Sequence, residues 1–160
     1  MYVAALGEQN RRLTGRFADE WIPHNILFDH LEGEFEVVAA GAKAADRSGD
    51  EIEIAPSVPI VIAEDLQYAR DRLADHLAYY LGISELYNAV PAQYGFESEA
   101  KQIWSEWLHD NRKAASESIT NEVIDSTGLT ATPGNARETA LAMADKYAID
   151  LITIRFSNKL

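Results

Sequence analysis

Short apolar runs alternate with helix-period segments along this chain, and that alternation constrains its fold more than any other feature. Tyr2 to Leu6 is an apolar run closed by Gly7, after which Asn10, Leu13 and Phe17 recur at helical spacing. The pattern reads as strand, tight turn, helix. A second short stretch, Trp21 to Pro23, leads through a polar loop into Asp29 to Asp46, where Leu31, Phe35, Val38 and Ala42 share one helical face. The third unit is the most strand-like. Within Glu51 to Ala63, Ile52, Ile54, Val58, Ile60, Val61 and Ile62 make a near-continuous apolar run, as in a strand buried on both faces. Pro56 and Pro59 restrict where ladder bonds form in it. Glu64 and Asp65 then favour a helix start, and Leu66, Ala69, Leu73, Leu77 and Tyr80 mark an apolar face ending at Gly82.

Ser84 to Thr127 interrupts this rhythm with helical pieces, among them Glu97 to Asn111, which carries Trp104, Trp107 and Leu108. We read residues 84–127 as an insertion. Gly128 to Thr132 is a short extended piece, Pro133 suits the first turn of the helix continued by Ala136 to Tyr147, and Asp150 to Phe156 is the last strand. The order predicts an α/β fold of parallel units joined by right-handed crossovers, forming one partial domain over residues 1–160. Four core strands are available. A closed β/α barrel needs eight, in about 250 residues, so this chain cannot close one and something must cover its open edges.

At 160 residues and 47% hydrophobic content, the chain can bury a sizeable core. The absence of cysteine excludes disulfides, thiolate zinc sites and a cysteine nucleophile. Against 14 Lys and Arg stand 26 Asp and Glu, a formal charge of −12, which disfavours binding to nucleic-acid phosphates. Such a surface suits either a high-salt cytoplasm or an ordinary acidic protein. The opening residues carry no basic n-region and no long apolar run, so a cytoplasmic location without membrane contact is expected.

Several stretches, taken in order, resemble the luciferase-like monooxygenase family, which includes coenzyme F-420-dependent reductases. Tyr2-Val3-Ala4-Ala5-Leu6-Gly7 is similar to the family's fifth strand and phosphate-binding turn, and Leu13-Thr14-Gly15-Arg16-Phe17-Ala18-Asp19 to the helix end that follows. Ile52-Glu53-Ile54-Ala55-Pro56-Ser57-Val58-Pro59 resembles the seventh strand, Tyr87 to Gly95 the helical region after it, and Thr132-Pro133-Gly134 with Ile149-Asp150-Leu151 the final helix and eighth strand. No single motif is sharp; their order and spacing carry the resemblance. It implies the C-terminal half of a (β/α)8 TIM barrel, close to methylenetetrahydromethanopterin reductase-like members. The implied activity is hydride transfer or monooxygenation of an organic substrate with coenzyme F-420 (a deazaflavin) or FMN.

The turn from Leu6 to Asn10 joins a strand end to a helix start, where free N–H groups and the positive dipole end suit a phosphate. By the resemblance, Leu6, Gly7, Gln9 and Asn10 hold the cofactor phosphate, and Glu8 departs from the family, which usually has proline there. His24 and Asn25 follow the second strand at the end where barrel enzymes place their chemistry, and by the resemblance His24 faces substrate. Arg155, near the end of the last strand, is the second candidate substrate contact, or else an ion-pair residue at the rim. His30, His76 and His109 show no metal-ligand spacing, and the aromatic residues Trp104, Trp107, Tyr79, Tyr80, Tyr87 and Tyr94 suit core or interface packing. The family's catalytic groups lie mainly on its first strands, which have no counterpart here. Three readings follow. The chain is an oxidoreductase or a piece of one completed by an N-terminal half-barrel chain, a non-catalytic half-barrel that forms homo-oligomers through its sheet edges, or a gene remnant.

Overall fold

A computed structural model describes residues 1–150 and 153–154. Two compact units make up the chain: Met1–Val58 with the segment from Leu141, and Pro59–Ala140.

The first unit opens with β1 (Tyr2–Val3), α1 (Glu8–Phe17), β2 (Glu20–Trp21), α2 (Leu31–Lys43) and β3 (Glu53–Ile54). The three strands form one parallel sheet in the order β1, β2, β3, with Val3 opposite Trp21 and Trp21 opposite Ile54. Ladder bonds run past the strand ends: Ala55 N–H donates to Trp21 O at 2.9 Å and Ser57 N–H to Pro23 O at 2.8 Å. β4 (Ser57–Val58) continues from β3 and pairs in parallel with Thr153–Ile154. One face of the sheet packs on the helices, because Trp21, fully buried, lies in a cluster with Ala5, Ile26, Leu31, Val38, Ala42 and Ile52.

α1 and α2 touch backbone to backbone, and glycine makes that possible. A methyl group on Gly15 would lie 1.9 Å from Val38 O, and one on Gly41 would lie 2.1 Å from Arg12 O. Thr14, fully buried beside Gly15, turns its hydroxyl back to Asn10 O at 2.8 Å.

The second unit begins with β5 (Ile60–Ile62) and α3 (Leu66–Ile83), whose start is capped by Asp65 accepting from Gln67 N–H at 2.8 Å. α4 (Glu85–Gln93), α5 (Glu97–Leu108), α6 (Arg112–Glu117) and α7 (Asn121–Thr127) follow. Leu73, Leu77 and Leu81 of α3 form a core with Ile103, Ala115, Ile119, Val123 and Ile124 from the later helices. Trp107 lies flat against Gly82, where a methyl group would meet its ring at 2.2 Å. β6 (Leu129–Ala131) pairs in parallel with β5, and α8 (Ala136–Lys146) leads back into the first unit. Among the described residues, no helix is long and apolar enough to cross a membrane.

The run from Ile52 to Ile62 differs from its sequence reading. It is three short strands: β3 pairs with β2, β4 stays on the extension of that ladder through Ser57 and also pairs with β7 (Thr153–Ile154), and β5, after Pro59, pairs with β6. A proline has no N–H for the ladder, and the bonds to the β2 segment come from Ala55 and Ser57 on either side of Pro56, while the change of partner to β6 follows Pro59. Pro133 also differs: it lies in the turn before α8, which starts at Ala136, and Asn135 Oδ1 accepts from Thr132 N–H at 2.8 Å within that turn.

Candidate functional site

Parallel register places the C-terminal ends of β1, β2 and β3 at one edge of their sheet. That edge carries the turn before α1, the His24–Asn25 pair and Ser57. Open parallel sheets bind ligands there, because the loops converge and the helices that follow point their N-termini at it.

The turn from Leu6 to Asn10 is anchored from below. Trp21 sits in the core with its indole N–H donating to Ala5 O at 2.8 Å, one residue before Leu6. Gly7 is the residue before α1, in extended conformation, and no side chain caps the helix start. The N–H groups of Glu8, Gln9 and Asn10 are those a helix cannot satisfy internally, since the first intrahelical bond runs from Arg11 N–H to Gly7 O at 3.0 Å. Among the described residues other than its chain neighbours, no atom lies within 4 Å of where a Gly7 side chain would start, so the backbone is open to close approach. Glu8 turns away along the helix, where its Oε1 accepts from Arg12 at 2.8 and 3.1 Å. Its charge is therefore met within α1. Arg11 pairs with Glu34 of α2, and partial burial lowers the Arg11 guanidinium from its ordinary value despite the neighbouring Glu8 charge.

His24 is buried and lies opposite Ser57 in a parallel bridge that extends the β2 ladder. Asn25, next in the chain, adopts a left-handed backbone with φ of 53° and is only 3% exposed. Arg155 lies outside the described residues. The structure thus brings the Leu6–Asn10 turn and His24 to one end of one sheet. Asn25 and Ser57 stand there too, and sequence reasoning gave neither a role. An asparagine ending a strand signals a left-handed position, but nothing in the sequence tells that its amide is buried.

A model of the luciferase-like monooxygenase family matches residues 1–148. The chain belongs to that family. Among solved structures, this family member is similar to coenzyme F420 dependent tetrahydromethanopterin reductase from Methanopyrus kandleri, with a TM-score of 0.74 and 18% identity over 96% of this chain and 43% of that one. It also resembles an F420-dependent secondary alcohol dehydrogenase bound to an F420-acetone adduct, with a TM-score of 0.62 and 14% identity over 96% of this chain and 42% of that one. A riboflavin lyase holding modified FMN and riboflavin is similar at a TM-score of 0.59 and 13% identity, over 96% of this chain and 37% of the lyase. At these identities the likeness concerns the fold: α/β, rich in helix, with short parallel strands. The chain spans about two-fifths of the length of these luciferase-like relatives. No curated protein sequence matches it.

Proposed function

We propose that this chain is the C-terminal half-barrel of a flavin- or deazaflavin-dependent oxidoreductase and that its part is to hold the cofactor phosphate and one wall of the substrate site. One observation carries the reading: α1 starts at Gly7 without a side-chain cap, beside open space, at the C-terminal end of a parallel strand. The residues fit the group. Leu6 and Gly7 shape the approach, the N–H groups of Gln9 and Asn10 point along the helix dipole, and the one nearby carboxylate, Glu8, is paired with Arg12. When bound, coenzyme F-420 or FMN supplies hydride exchange with an organic substrate, or monooxygenation in the flavin case. The protein's own residues position it, and His24, buried on the same sheet edge, contacts substrate.

The pairing of β1 with β2, β2 with β3 and β4 with β7, all parallel, supports the half-barrel reading, a closed barrel needing eight strands. Among the described residues β1 pairs only with β2, and Tyr2 on it is 72% exposed. That edge favours a covering partner, either an N-terminal half-barrel chain or a second copy of this one in a homo-oligomer.

Titrating the purified chain with FMN and with coenzyme F-420 by fluorescence, with light scattering in parallel, tests the reading. Saturable binding that Gly7→Asp abolishes is the expected result, because an added carboxylate repels the phosphate. A stable dimer that binds neither cofactor would leave a non-catalytic half-barrel.

A further inference from the structure

Three polar atoms stand apart from the phosphate turn. Asn25 Nδ2, Asn25 Oδ1 and Ser57 Oγ are shielded from solvent and lack a hydrogen-bond partner, on residues 3% and 5% exposed. Buried amides and hydroxyls in native proteins are nearly always paired, since each unpaired group forfeits its bonds to water. Their placement is specific. Ser57 is the register partner of His24, whose chain neighbour is Asn25, so both residues sit at the C-terminal edge of the β1–β3 sheet.

The charge pattern of that edge narrows what fits. Among the described residues of β1 to β4 and the segments extending them, 2–7, 20–28 and 53–58, there is no lysine or arginine. These segments therefore supply Asn25 and Ser57 with no cationic neighbour of their own to share an anion with. Asn25 offers two donors and an acceptor, and Ser57 one donor and acceptor sites, a set that matches a neutral oxygen.

We infer that Asn25 and Ser57 form a recognition site for an uncharged hydroxyl or carbonyl group of the organic substrate. The inference rests on reading the strand ends as the ligand face, and it assigns the Asn25–Ser57 position on that face a neutral oxygen function, apart from the phosphate held at the start of α1. Asn25 is held by backbone as well as side chain: its left-handed φ is tolerated by asparagine, aspartate and glycine and strains other residues. Glycine at this position therefore removes the amide and keeps the fold.

The test is a titration of the isotope-labelled full chain, followed by amide NMR, with butan-2-ol and butanone as neutral probes and acetate and inorganic phosphate as charged ones. Saturable shifts confined to His24, Asn25 and Ser57 are expected with the neutral probes alone, with affinity falling about fivefold or more in Asn25→Gly and in Ser57→Ala. Ser57→Ala should also melt at the same or a higher temperature, since it deletes an unpaired hydroxyl; a merely structural serine would lose stability instead. Equal shifts with phosphate, no saturation, or unchanged binding in both variants would overturn the inference. Repeating the titration with FMN present separates the two readings. Cofactor binding without neutral-probe binding sinks this inference alone, and the reverse outcome sinks the cofactor reading alone.

Discussion

Trp21 shows how one side chain connects the core to the site. Its ring fills the space under α2, and its N–H fixes the Ala5 carbonyl just below the phosphate turn. Trp21→Phe keeps most of the apolar burial and removes that donor. We expect a loss of about 1–3 kcal/mol, read as a lower melting temperature, with weaker cofactor binding because Leu6 and Gly7 lose their anchor. The sequence marks Trp21 as a strand residue but not the acceptor of its bond, which comes from a strand distant in sequence. Glu97 illustrates a different dependence. The hydrogen bond from Lys101, and then the Lys101 charge, hold its carboxyl below the ordinary value. Since the folded-state value is depressed, the stabilisation is complete above the ordinary carboxylate range and is lost as pH falls through the lowered value. Glu97→Gln should therefore melt slightly below the wild type at neutral pH and match it in strong acid, a difference kept small by full exposure.

At the scale of elements, the closest fit in the molecule is the crossing of α1 and α2. Gly15 faces Val38 O and Gly41 faces Arg12 O, so a methyl group at either position must push the helices apart. Gly15→Ala and Gly41→Ala should each cost about 1–3 kcal/mol by overpacking, even though alanine is the better helix former, and the double variant should cost less than the sum. Melting curves of the three variants check this. Helices were the legible part of this chain, because the apolar spacing of Leu31, Phe35, Val38 and Ala42, and of Leu73 and Leu77, reports a buried face directly. Strands were less so. The Ile52 to Ile62 run looks continuous in hydrophobicity, and only the prolines at 56 and 59 hint that it serves three ladders. Pairing partners are long-range, and local composition does not encode them. Likewise, Pro133 fits a helix start by type, yet the Asn135 side chain closes a turn first.

For the whole molecule, membership of the luciferase-like family and a length near two-fifths of the matched structures make the covering of the sheet edge the central physical question. If a second copy pairs along β1, Tyr2→Lys should move the chain towards monomer in sedimentation at low salt, because a lysine on an edge strand opposes strand addition. Alternation of strand and helix makes the strand ends the expected place for a site; the burial of Asn25 and Ser57 was not legible, because burial depends on neighbours distant in sequence. The central claim is that the uncapped start of α1 holds a phosphate, and the most direct measurement compares FMN with riboflavin, which has the same ring and no phosphate. Amide NMR shifts of Glu8, Gln9 and Asn10 should respond to FMN and remain still with riboflavin. Equal shifts with both, or none with either, would contradict it.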